Sequence, residues 1–310
     1  MPRTDLIRRM ARGALFACCL ACGLVAAAEP PGPAVRDDRG VPVSLGAPAR
    51  RMVSLAPHIT ELLFAAGAGD AVVGTVDYSD YPDAARRIAR VGSVHALDLE
   101  RVLSLRPDLI VVWLHGSPQR QLERLALLGV PIYYSEPRRL EDVASTIERF
   151  GRLAGTEQAA ERAAAAYRAR LAALRARYAG RAPVEVFFQV WNQPLLTVND
   201  SQLISDVLRL CGGRNVFGSL AALVPAVSVE AVLAANPQAI VMASAGAEND
   251  ARAFALWRAW PRLAAVADGG LFAVDADTIS RQTPRIVDAA QTVCEGLDAV
   301  RARLNGGRRD

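Results

Sequence analysis

The sequence predicts an α/β protein of two lobes that are joined by one long helix. Apolar strands alternate with helical segments along most of the 310 residues, which is typical of a parallel sheet covered on both faces. Residues 99–112 align without gaps on residues 229–242, and each copy is a helix that ends before proline and leads into a buried strand. Between the copies, residues 156–178 contain no Gly or Pro and favour a helix. The second half therefore repeats the plan of the first, and we expect a ligand cleft between the lobes.

The chain begins with a segment typical of a secretory signal. Four arginines precede an apolar run at residues 13–25, and three alanines end the segment at Ala28. The run is shorter than the roughly 20 residues of a membrane-spanning helix. Two alternatives stay open: a buried N-terminal helix, and a lipoprotein signal in which Cys22 becomes the lipid anchor.

The charge of the chain changes when this segment is removed. The formal net charge is +4, and all 36 basic residues are arginine. Residues 1–28 hold four of the arginines and one aspartate, so the mature chain has a net charge of +1. A nearly neutral chain argues against nucleic acid as a partner. The lack of lysine excludes a Walker-type phosphate loop and Schiff-base chemistry.

Two cysteines, Cys211 and Cys294, follow the predicted cleavage site. In an oxidising compartment, two lone cysteines most simply form one disulfide. Such a bond would close a loop of about 80 residues and stabilise the fold by roughly 4 kcal/mol. Two buried free thiols are the alternative.

The elements of the first lobe follow from short apolar runs and their flanking turn residues. The stretch from Pro30 to Ala49 is rich in Pro and Gly, which predicts a tether or an edge segment. A strand at 51–56 ends before Pro57, and Thr60 is predicted to cap the next helix. The other predicted elements are a strand at 72–76, a helix at 99–105, a strand at 109–113, a helix at 119–128 and a strand at 131–134.

The long helical segment divides the chain. As a helix, residues 156–178 would span about 35 Å, which exceeds one layer of a small domain. A connecting helix is the prediction, and a long surface helix is the alternative. The predicted boundaries are a signal at 1–28, a tether at 29–49, a first lobe at 50–153, a connecting helix at 154–180 and a second lobe at 181–305.

Motifs for catalysis or metal binding are sparse. The three histidines, His58, His95 and His115, lie in the first lobe without the spacing of a metal site, and we expect them at strand ends near the cleft. Glycines near Gly67 have the wrong spacing for a dinucleotide fingerprint, and no G-x-S-x-G elbow occurs. A secreted α/β enzyme with a histidine base is a distant alternative, since no nucleophile, base and orienting group can be assembled.

Several aromatic and polar residues are candidate ligand contacts. Tyr78, Trp113 and Trp191 fall in loops or at strand ends, and core packing is the alternative reading of them. Asp277 and Arg281 follow a strand of the second lobe. They can hydrogen-bond amide or phosphate groups of a bulky ligand, or belong to an ordinary surface turn.

Glu100 and Glu230 occupy the same place in the two repeats, each in the first turn of its helix. Negative charge at a helix N-terminus is itself favourable, by about 0.3 to 1 kcal/mol. One carboxylate on each lobe also suits a docking partner that has two-fold symmetry. The residues alone leave both readings open.

Several runs resemble one family of transport proteins. The runs VSLAPHITEL at 53–62, YSDYP at 78–82 and CGGRNVF at 211–217 are similar to the solute-binding proteins of cobalamin and iron-chelate ABC importers. The resemblance extends over residues 50–300. The YSDYP loop and the paired cysteines favour the cobalamin-binding subgroup.

The resemblance implies a helical-backbone periplasmic binding protein fold, in which two Rossmann-like lobes are bridged by a rigid helix and close only slightly. It implies a non-catalytic periplasmic monomer, without cofactor or metal, that delivers cobalamin to the permease dimer of an ABC importer. Glu100 and Glu230 would meet arginines on the two permease subunits. The side chains expected to contact the ligand are Tyr78, Trp113, Trp191, Asp277 and Arg281.

The sequence also departs from the cobalamin-binding pattern. Val94, Leu196 and Val224 stand where members of the subgroup tend to have aromatic residues, and Trp191 offers a neighbouring replacement. Aliphatic side chains can still cover a corrin by burying area, at about 25 cal/mol per Å². The alternative ligands for the same fold are haem and a ferric siderophore.

Overall fold

The computed structural model of the protein describes residues 32–244 and 246–306. The predicted signal at 1–28, with Cys22, lies outside these residues. Within the described part, none of the helices is long and apolar enough to cross a membrane. The predicted fold class is confirmed, because two parallel sheets are each covered by helices.

A hairpin precedes the first lobe where the sequence predicts a tether or an edge segment. Strands β1 (Ala34–Arg36) and β2 (Pro42–Ser44) pair in antiparallel fashion. Val35 and Val43 are buried in the core, and Asp38 in the turn accepts a hydrogen bond of 2.6 Å from Arg149. The segment is therefore part of the packed structure. Its contact with a helix about 110 residues away leaves no local signal in the sequence.

The first lobe is built on a five-stranded parallel sheet. Its elements are β3 (Met52–Ser54), α1 (Pro57–Ala65), β4 (Val72–Thr75), β5 (Ala89–Arg90), β6 (Gly92–Ser93), β7 (Ala96–Leu97), α2 (Leu99–Ser104), β8 (Leu109–Trp113), α3 (Gln119–Ala126), β9 (Ile132–Ser135) and α4 (Leu140–Ala154). The strand order is β5-β4-β3-β8-β9, and β6 and β7 form a separate small hairpin.

The second lobe has the same plan, with one strand fewer in its parallel sheet. After α5 (Glu157–Tyr178), its elements are β10 (Val184–Gln189), α6 (Leu203–Leu210), β11 (Gly213–Asn215), α7 (Val229–Ala235), β12 (Ala239–Ser244), α8 (Ala247–Arg258), α9 (Ala264–Ala267), β13 (Leu271–Asp275), α10 (Ala276–Ile279) and α11 (Ile286–Gly306). The strand order β11-β10-β12-β13 matches β4-β3-β8-β9 of the first sheet.

Helix α1 begins earlier than the sequence predicts. Its first residue is Pro57, whose fixed φ suits the first helical turn, and the preceding Ala56 has no side-chain cap. The predicted cap, Thr60, lies inside the helix and was assigned wrongly. Its hydroxyl is instead 2.8 Å from the Ser54 hydroxyl in a buried polar contact.

The two repeats share their local structure. Asp98 and Ser228 hold equivalent positions, and each accepts a hydrogen bond from the backbone N–H three residues on, at 2.9 and 3.2 Å. These bonds cap α2 and α7. Arg106 and Asn236 follow at equivalent positions with φ of 45° and 44°, in the left-handed region that non-glycine residues rarely adopt. The sequence repeat is therefore also a structural repeat.

Each repeat is attached to the lobe's central strand in the same way. An Asp108 carboxylate oxygen accepts the N–H of Arg51 at 3.1 Å, and the Gln238 side-chain oxygen accepts the N–H of Glu185 at 2.9 Å. In return, the backbone N–H of Asp108 donates to the carbonyl of Arg51, and that of Gln238 donates to the carbonyl of Glu185. Each pair of bonds sets the register of the repeat's strand, β8 or β12, against its neighbour, β3 or β10.

One apolar core runs through both lobes. Alternate residues of β8, such as Leu109 and Val111, face this shared core, and so does Val241 of β12. Residues on the opposite sheet faces pack in two separate outer clusters, one in each lobe. The shared core also includes the buried faces of α1, α4, α5, α6 and α11. The lobes are therefore joined by common packing as well as by the connecting helix.

Helix α5 packs along its whole length. Its buried residues recur every three or four positions, as expected for one helical face against a core. The hydroxyl of Tyr167 donates to the carbonyl of Leu140 at the start of α4 at 2.8 Å, and the N–H of Leu140 donates to Asp206 of α6 at 2.8 Å. These bonds join the first lobe, α5 and the second lobe.

The predicted disulfide joins Cys211 and Cys294. Cys211 follows α6 and Cys294 lies in α11, and both are fully buried. The bond therefore links two helices of the second lobe that both pack on the shared core.

Candidate functional site

The carboxyl ends of the parallel strands carry the predicted site residues. Strands of one parallel sheet end at one edge, which is where α/β proteins commonly bind ligands. Arg281 follows β13 of the second sheet, and it donates a hydrogen bond of 3.0 Å to Asp80, which follows β4 of the first. The carboxyl edges of the two sheets therefore face each other, and the site lies between the lobes.

Five charged residues form a cluster where the lobes meet, and we call it the junction cluster. Its members are Glu61, Asp80, Asp277, Arg281 and Arg285. Arg281 Nη1 lies 2.9 Å from Glu61 Oε1, and Arg281 Nη2 lies 2.9 Å from Asp277 Oδ1. Arg285 holds Glu61 with two bonds, from Nη2 at 2.6 Å and from Nε at 2.9 Å. Glu61 thus receives three hydrogen bonds from two arginines of the opposite lobe.

Burial makes this pairing strong. Only 2% of the Glu61 side chain and 12% of the Arg281 side chain are exposed. Charged hydrogen bonds in such surroundings are short, and removing one partner leaves an uncompensated buried charge. Partial burial opposes ionisation of Asp80, but its hydrogen bond and charge contact with Arg281 lower its pKa overall. Asp80 therefore stays ionised beside the arginine.

Tyr78 projects into solvent from a fixed backbone position. The residue is 79% exposed, and its φ is 63°. The next residue, Ser79, is buried: its hydroxyl accepts a hydrogen bond from the Thr60 hydroxyl at 3.2 Å, and its carbonyl accepts one from Arg90 Nη2 at 3.0 Å. Because its neighbour is held from two sides, Tyr78 keeps a backbone conformation that non-glycine residues rarely adopt. An exposed aromatic ring on a fixed loop is well suited to stack on a planar ligand.

Trp113, the last residue of β8, is half-buried beside His58. The two ring centroids are 5.2 Å apart at 80°, an edge-to-face contact. Burial, and then the charge of Arg281, lower the pKa of His58 to about 3, so the imidazole is neutral at physiological pH. Among the described residues, neither His58 Nε2 nor Trp113 Nε1 has a hydrogen-bond partner. Part of the Trp113 ring is covered by Gly116, where a Cβ atom would lie only 1.9 Å from the ring.

Trp191 lines a cavity of about 670 Å³ in the second lobe. It follows β10, is 56% exposed and donates from its ring nitrogen to the Gln193 carbonyl at 3.1 Å. The cavity lies where β10 and β12 end against α8. Other residues that line it are Gln189, Gln193, Met242, Leu256 and Ser280. The second lobe thus offers an apolar wall with amide groups at its rim.

Asp277 and Arg281 differ in exposure. The Asp277 side chain is 64% exposed, whereas Arg281 is largely covered by its carboxylate partners. Of the two residues predicted as polar contacts, Asp277 is the more accessible. Arg281 is shared between the predicted site and the contact of the lobes.

Glu100 and Glu230 are exposed at the second positions of α2 and α7. A hydrogen bond with its own backbone amide and one with the Ser228 hydroxyl lower the pKa of Glu230. Both side chains are on the surface, on the helices that the repeat places equivalently in the two lobes.

The remaining histidines lie near the first sheet. His115 Nδ1 is 3.1 Å from Glu136 Oε2, just beyond the ends of β8 and β9. His95 is exposed in the turn between β6 and β7. Within residues 32–244 and 246–306, no three His, Cys, Asp or Glu side chains come together in a way that could hold a metal ion.

The sequence analysis did not single out Glu61, Asp80 or Arg285 of the junction cluster. Glu61 is the most buried of the three. It lies in an apolar helix, flanked by Thr60 and Leu62. A carboxylate on a buried helical face requires a cationic partner, and this was the available signal. Its partners are more than 200 positions away, so their identity could not be read from local pattern.

The three aliphatic residues that depart from the cobalamin-binding pattern are divided between the lobes. Val94 is half-buried in the turn between β6 and β7, and Val224 is exposed. Leu196 pairs with Trp191 and Ala226 in isolated backbone bridges. Trp191 is therefore a backbone neighbour of one of the positions that lack an aromatic ring.

Comparisons with known proteins extend over both lobes. The sequence profile described as "Periplasmic binding protein" matches residues 52–278. The vitamin B12-binding protein of Vibrio cholerae serotype O1 is 39% identical over 251 residues, which cover 81% of this chain and 90% of the relative. The vitamin B12-binding protein of Yersinia pestis is 38% identical over 252 residues, covering 81% and 88%.

Solved structures show the same architecture. The crystal structure of the periplasmic vitamin B12 binding protein BtuF of Vibrio cholerae matches with a TM-score of 0.76 and 38% identity, over 82% of this chain and 98% of that one. A periplasmic heme binding protein from Pseudomonas aeruginosa matches with a TM-score of 0.67 and 28% identity, over 79% and 91%.

Proposed function

This chain belongs to the periplasmic binding protein family, and we propose that it captures cobalamin between its lobes and delivers it to an ABC importer of the inner membrane. The main support is the 39% identity to a vitamin B12-binding protein across 81% of the chain. The site agrees with a large, planar and amide-rimmed ligand. The proposed function is binding without turnover, so the ligand is released in the same chemical form in which it was bound.

The ligand contacts come from both lobes in this proposal. Tyr78 and Trp113 stack against the ligand from the first lobe, and Trp191 covers it from the second. The exposed Asp277 carboxylate accepts hydrogen bonds from amide N–H groups on the corrin edge. Arg281 has N–H groups left over for ligand carbonyls after its three carboxylate bonds.

Titration calorimetry with three ligands tests the proposed function. Purified mature protein receives cyanocobalamin, haemin or a ferric siderophore under identical conditions. Cobalamin should bind at one to one and quench tryptophan fluorescence, since Trp113 and Trp191 lie in the site. Mass spectrometry of the released ligand should find it intact. No heat and no quenching at micromolar cyanocobalamin would contradict the function, and tight haemin binding alone would assign the ligand to the haem class.

Glu100 and Glu230 are proposed as the docking carboxylates. The structural repeat places one on each lobe, which fits a permease dimer that offers the same arginine-bearing surface twice. Export by the N-terminal signal would place the protein in the periplasm, where this permease surface is accessible.

Charge reversal tests the docking role. The double variant Glu100→Arg, Glu230→Arg should abolish uptake of labelled cobalamin and leave its affinity unchanged. The matched control is Glu123→Arg, Glu295→Arg, which makes the same charge change at exposed positions, one in each lobe. Equal loss of uptake in the control, or lost ligand affinity in the test variant, would contradict docking through these two residues.

A further inference from the structure

The Arg281 guanidinium is held in place by hydrogen bonds to three carboxylates. A guanidinium group has five N–H donors. Both N–H groups of Nη1 bind carboxylates of the first lobe, Glu61 at 2.9 Å and Asp80 at 3.0 Å. One N–H of Nη2 binds Asp277 at 2.9 Å. Three of its five donors are therefore bonded to carboxylates, and two of these carboxylates, those of Glu61 and Asp80, belong to the opposite lobe.

Glu61 is the most firmly held carboxylate that Arg281 contacts. It is almost fully buried, and Arg285 binds it with a bidentate pair of hydrogen bonds. The guanidinium of Arg285 also lies 4.1 Å from the centre of the Tyr81 ring. The Glu61 carboxylate is thus restrained by Arg285, and it can in turn restrain Arg281.

Asp277 is the exposed end of the series of hydrogen bonds that runs from Arg285 through Glu61 and Arg281. One of its carboxylate oxygens accepts from Arg281, while most of the side chain is open to solvent. A surface aspartate on a four-residue helix would otherwise sample several rotamers. Its orientation at the edge of the cleft therefore depends on Arg281.

We propose that Glu61 is a positioning residue for the ligand site. Through Arg281 it orients the Asp277 carboxylate, so that a residue of the first lobe fixes the orientation of a ligand contact on the second lobe. This role rests on the proposed function, with cobalamin as the ligand. Glu61 itself does not touch the ligand. Asp80 supports the same orientation through its own bond to Arg281.

A double-mutant cycle tests this role. Affinity for cyanocobalamin is measured by calorimetry for the wild type, Glu61→Gln, Asp277→Ala and the double variant. Glu61→Gln should weaken binding at least tenfold, and most of this loss should disappear once Asp277 is replaced, because only the ligand contact of Arg281 itself then remains to be disturbed. Asp80→Asn should show a smaller loss, about threefold, that also shrinks in the Asp277→Ala background. It serves as the second test if Glu61→Gln does not fold.

Controls separate positioning from a loss of stability. Glu148→Gln breaks a pair with Arg168 between α4 and α5, and it should leave affinity unchanged. Unchanged affinity in Glu61→Gln, or equal losses with and without Asp277, would overturn the positioning role while cobalamin binding by the wild type stands. Failure of the wild type to bind cobalamin would overturn the proposed function, and this role with it.

Discussion

The two lobes share a structural repeat but differ in how they are stabilised and in what they present to the cleft. The first has a five-stranded parallel sheet and all three histidines, and it exposes Tyr78 on a fixed loop. The second has a four-stranded parallel sheet, the disulfide and a cavity lined by Trp191. The shared parts are helix caps, left-handed turns and strand attachments. The different parts are those at the carboxyl ends of the strands.

This difference separates two constraints on the molecule. The repeated helices place Glu100 and Glu230 equivalently, as docking on a symmetric permease dimer would require. A ligand enclosed between the lobes has no such symmetry, so the cleft-facing residues of each lobe can diverge. Variants that act on one lobe at a time should reveal this division.

Loss of the disulfide should have the largest effect, and it should fall on the second lobe. The variant Cys211→Ser, Cys294→Ser should lose roughly 4 kcal/mol of unfolding free energy, because the bond closes a long loop of the unfolded chain. Urea denaturation measures the loss. Hydrogen exchange should rise first in α6 and α11. Equal loss of protection around β3 and β4 would mean that the two lobes open together.

The exposed aromatic residues should matter to ligand binding in both lobes. Tyr78→Ala and Trp191→Ala should each cost about 2 kcal/mol of binding free energy, or roughly thirtyfold in affinity, because in the proposed complex each ring buries its apolar face on the ligand. Trp260→Ala is the control, since this exposed tryptophan lines a different surface groove. A larger loss for Trp191 would show that the second lobe provides most of the stacking surface.

The pH dependence of stability should come in part from the first lobe. His58 has a pKa of about 3 in the folded protein and about 6.5 when unfolded, so below pH 6.5 the unfolded chain binds a proton that the folded chain does not. Stability should therefore fall by up to about 1.4 kcal/mol for each pH unit between 6.5 and 3. His58→Phe should reduce this slope by about one proton, as measured by urea denaturation across the range. His95→Gln should leave the slope unchanged, and an unchanged slope in both variants would rule out His58 as its source.

The strand attachments should give the smallest effects and compare the repeats directly. Asp108→Ala should cost about 1 kcal/mol of unfolding free energy, because its charged carboxylate accepts two adjacent backbone N–H groups. Gln238→Ala should cost about half as much, since it removes one neutral bond. Thermal unfolding measures both. A larger cost for Gln238 would show that local bonding is not equivalent in the two repeats.

The sequence predicted those features that depend on local pattern. The gapless repeat revealed the two-lobe plan, because each helix, its proline and its strand are adjacent in the chain. The cysteine count predicted the bond between Cys211 and Cys294, since these two cysteines allow one pairing once the signal is removed. The segment without Gly or Pro predicted α5.

Features that depend on distant partners were not predicted. The hairpin of β1 and β2 packs on α4, which lies about 110 residues further along the chain. Glu61 pairs with Arg281, which lies 220 positions along the chain, and a single carboxylate in an apolar helix does not indicate which residue will be its partner. Helix α1 started at Pro57 because a proline in the first turn replaced the expected side-chain cap. For the hairpin and for Glu61, tertiary contacts supplied what the local sequence lacked, whereas the start of α1 is a local feature that the sequence analysis assigned wrongly.

Helix α5 lies halfway along the chain, yet it helps to complete the core of both halves. During synthesis it follows the first lobe and can dock on α4 at once. The rest of its apolar face packs beside α6 and α11, which come later in the chain. A growing chain therefore carries an uncovered apolar surface until α11 has formed, which favours folding of the two lobes together over folding lobe by lobe.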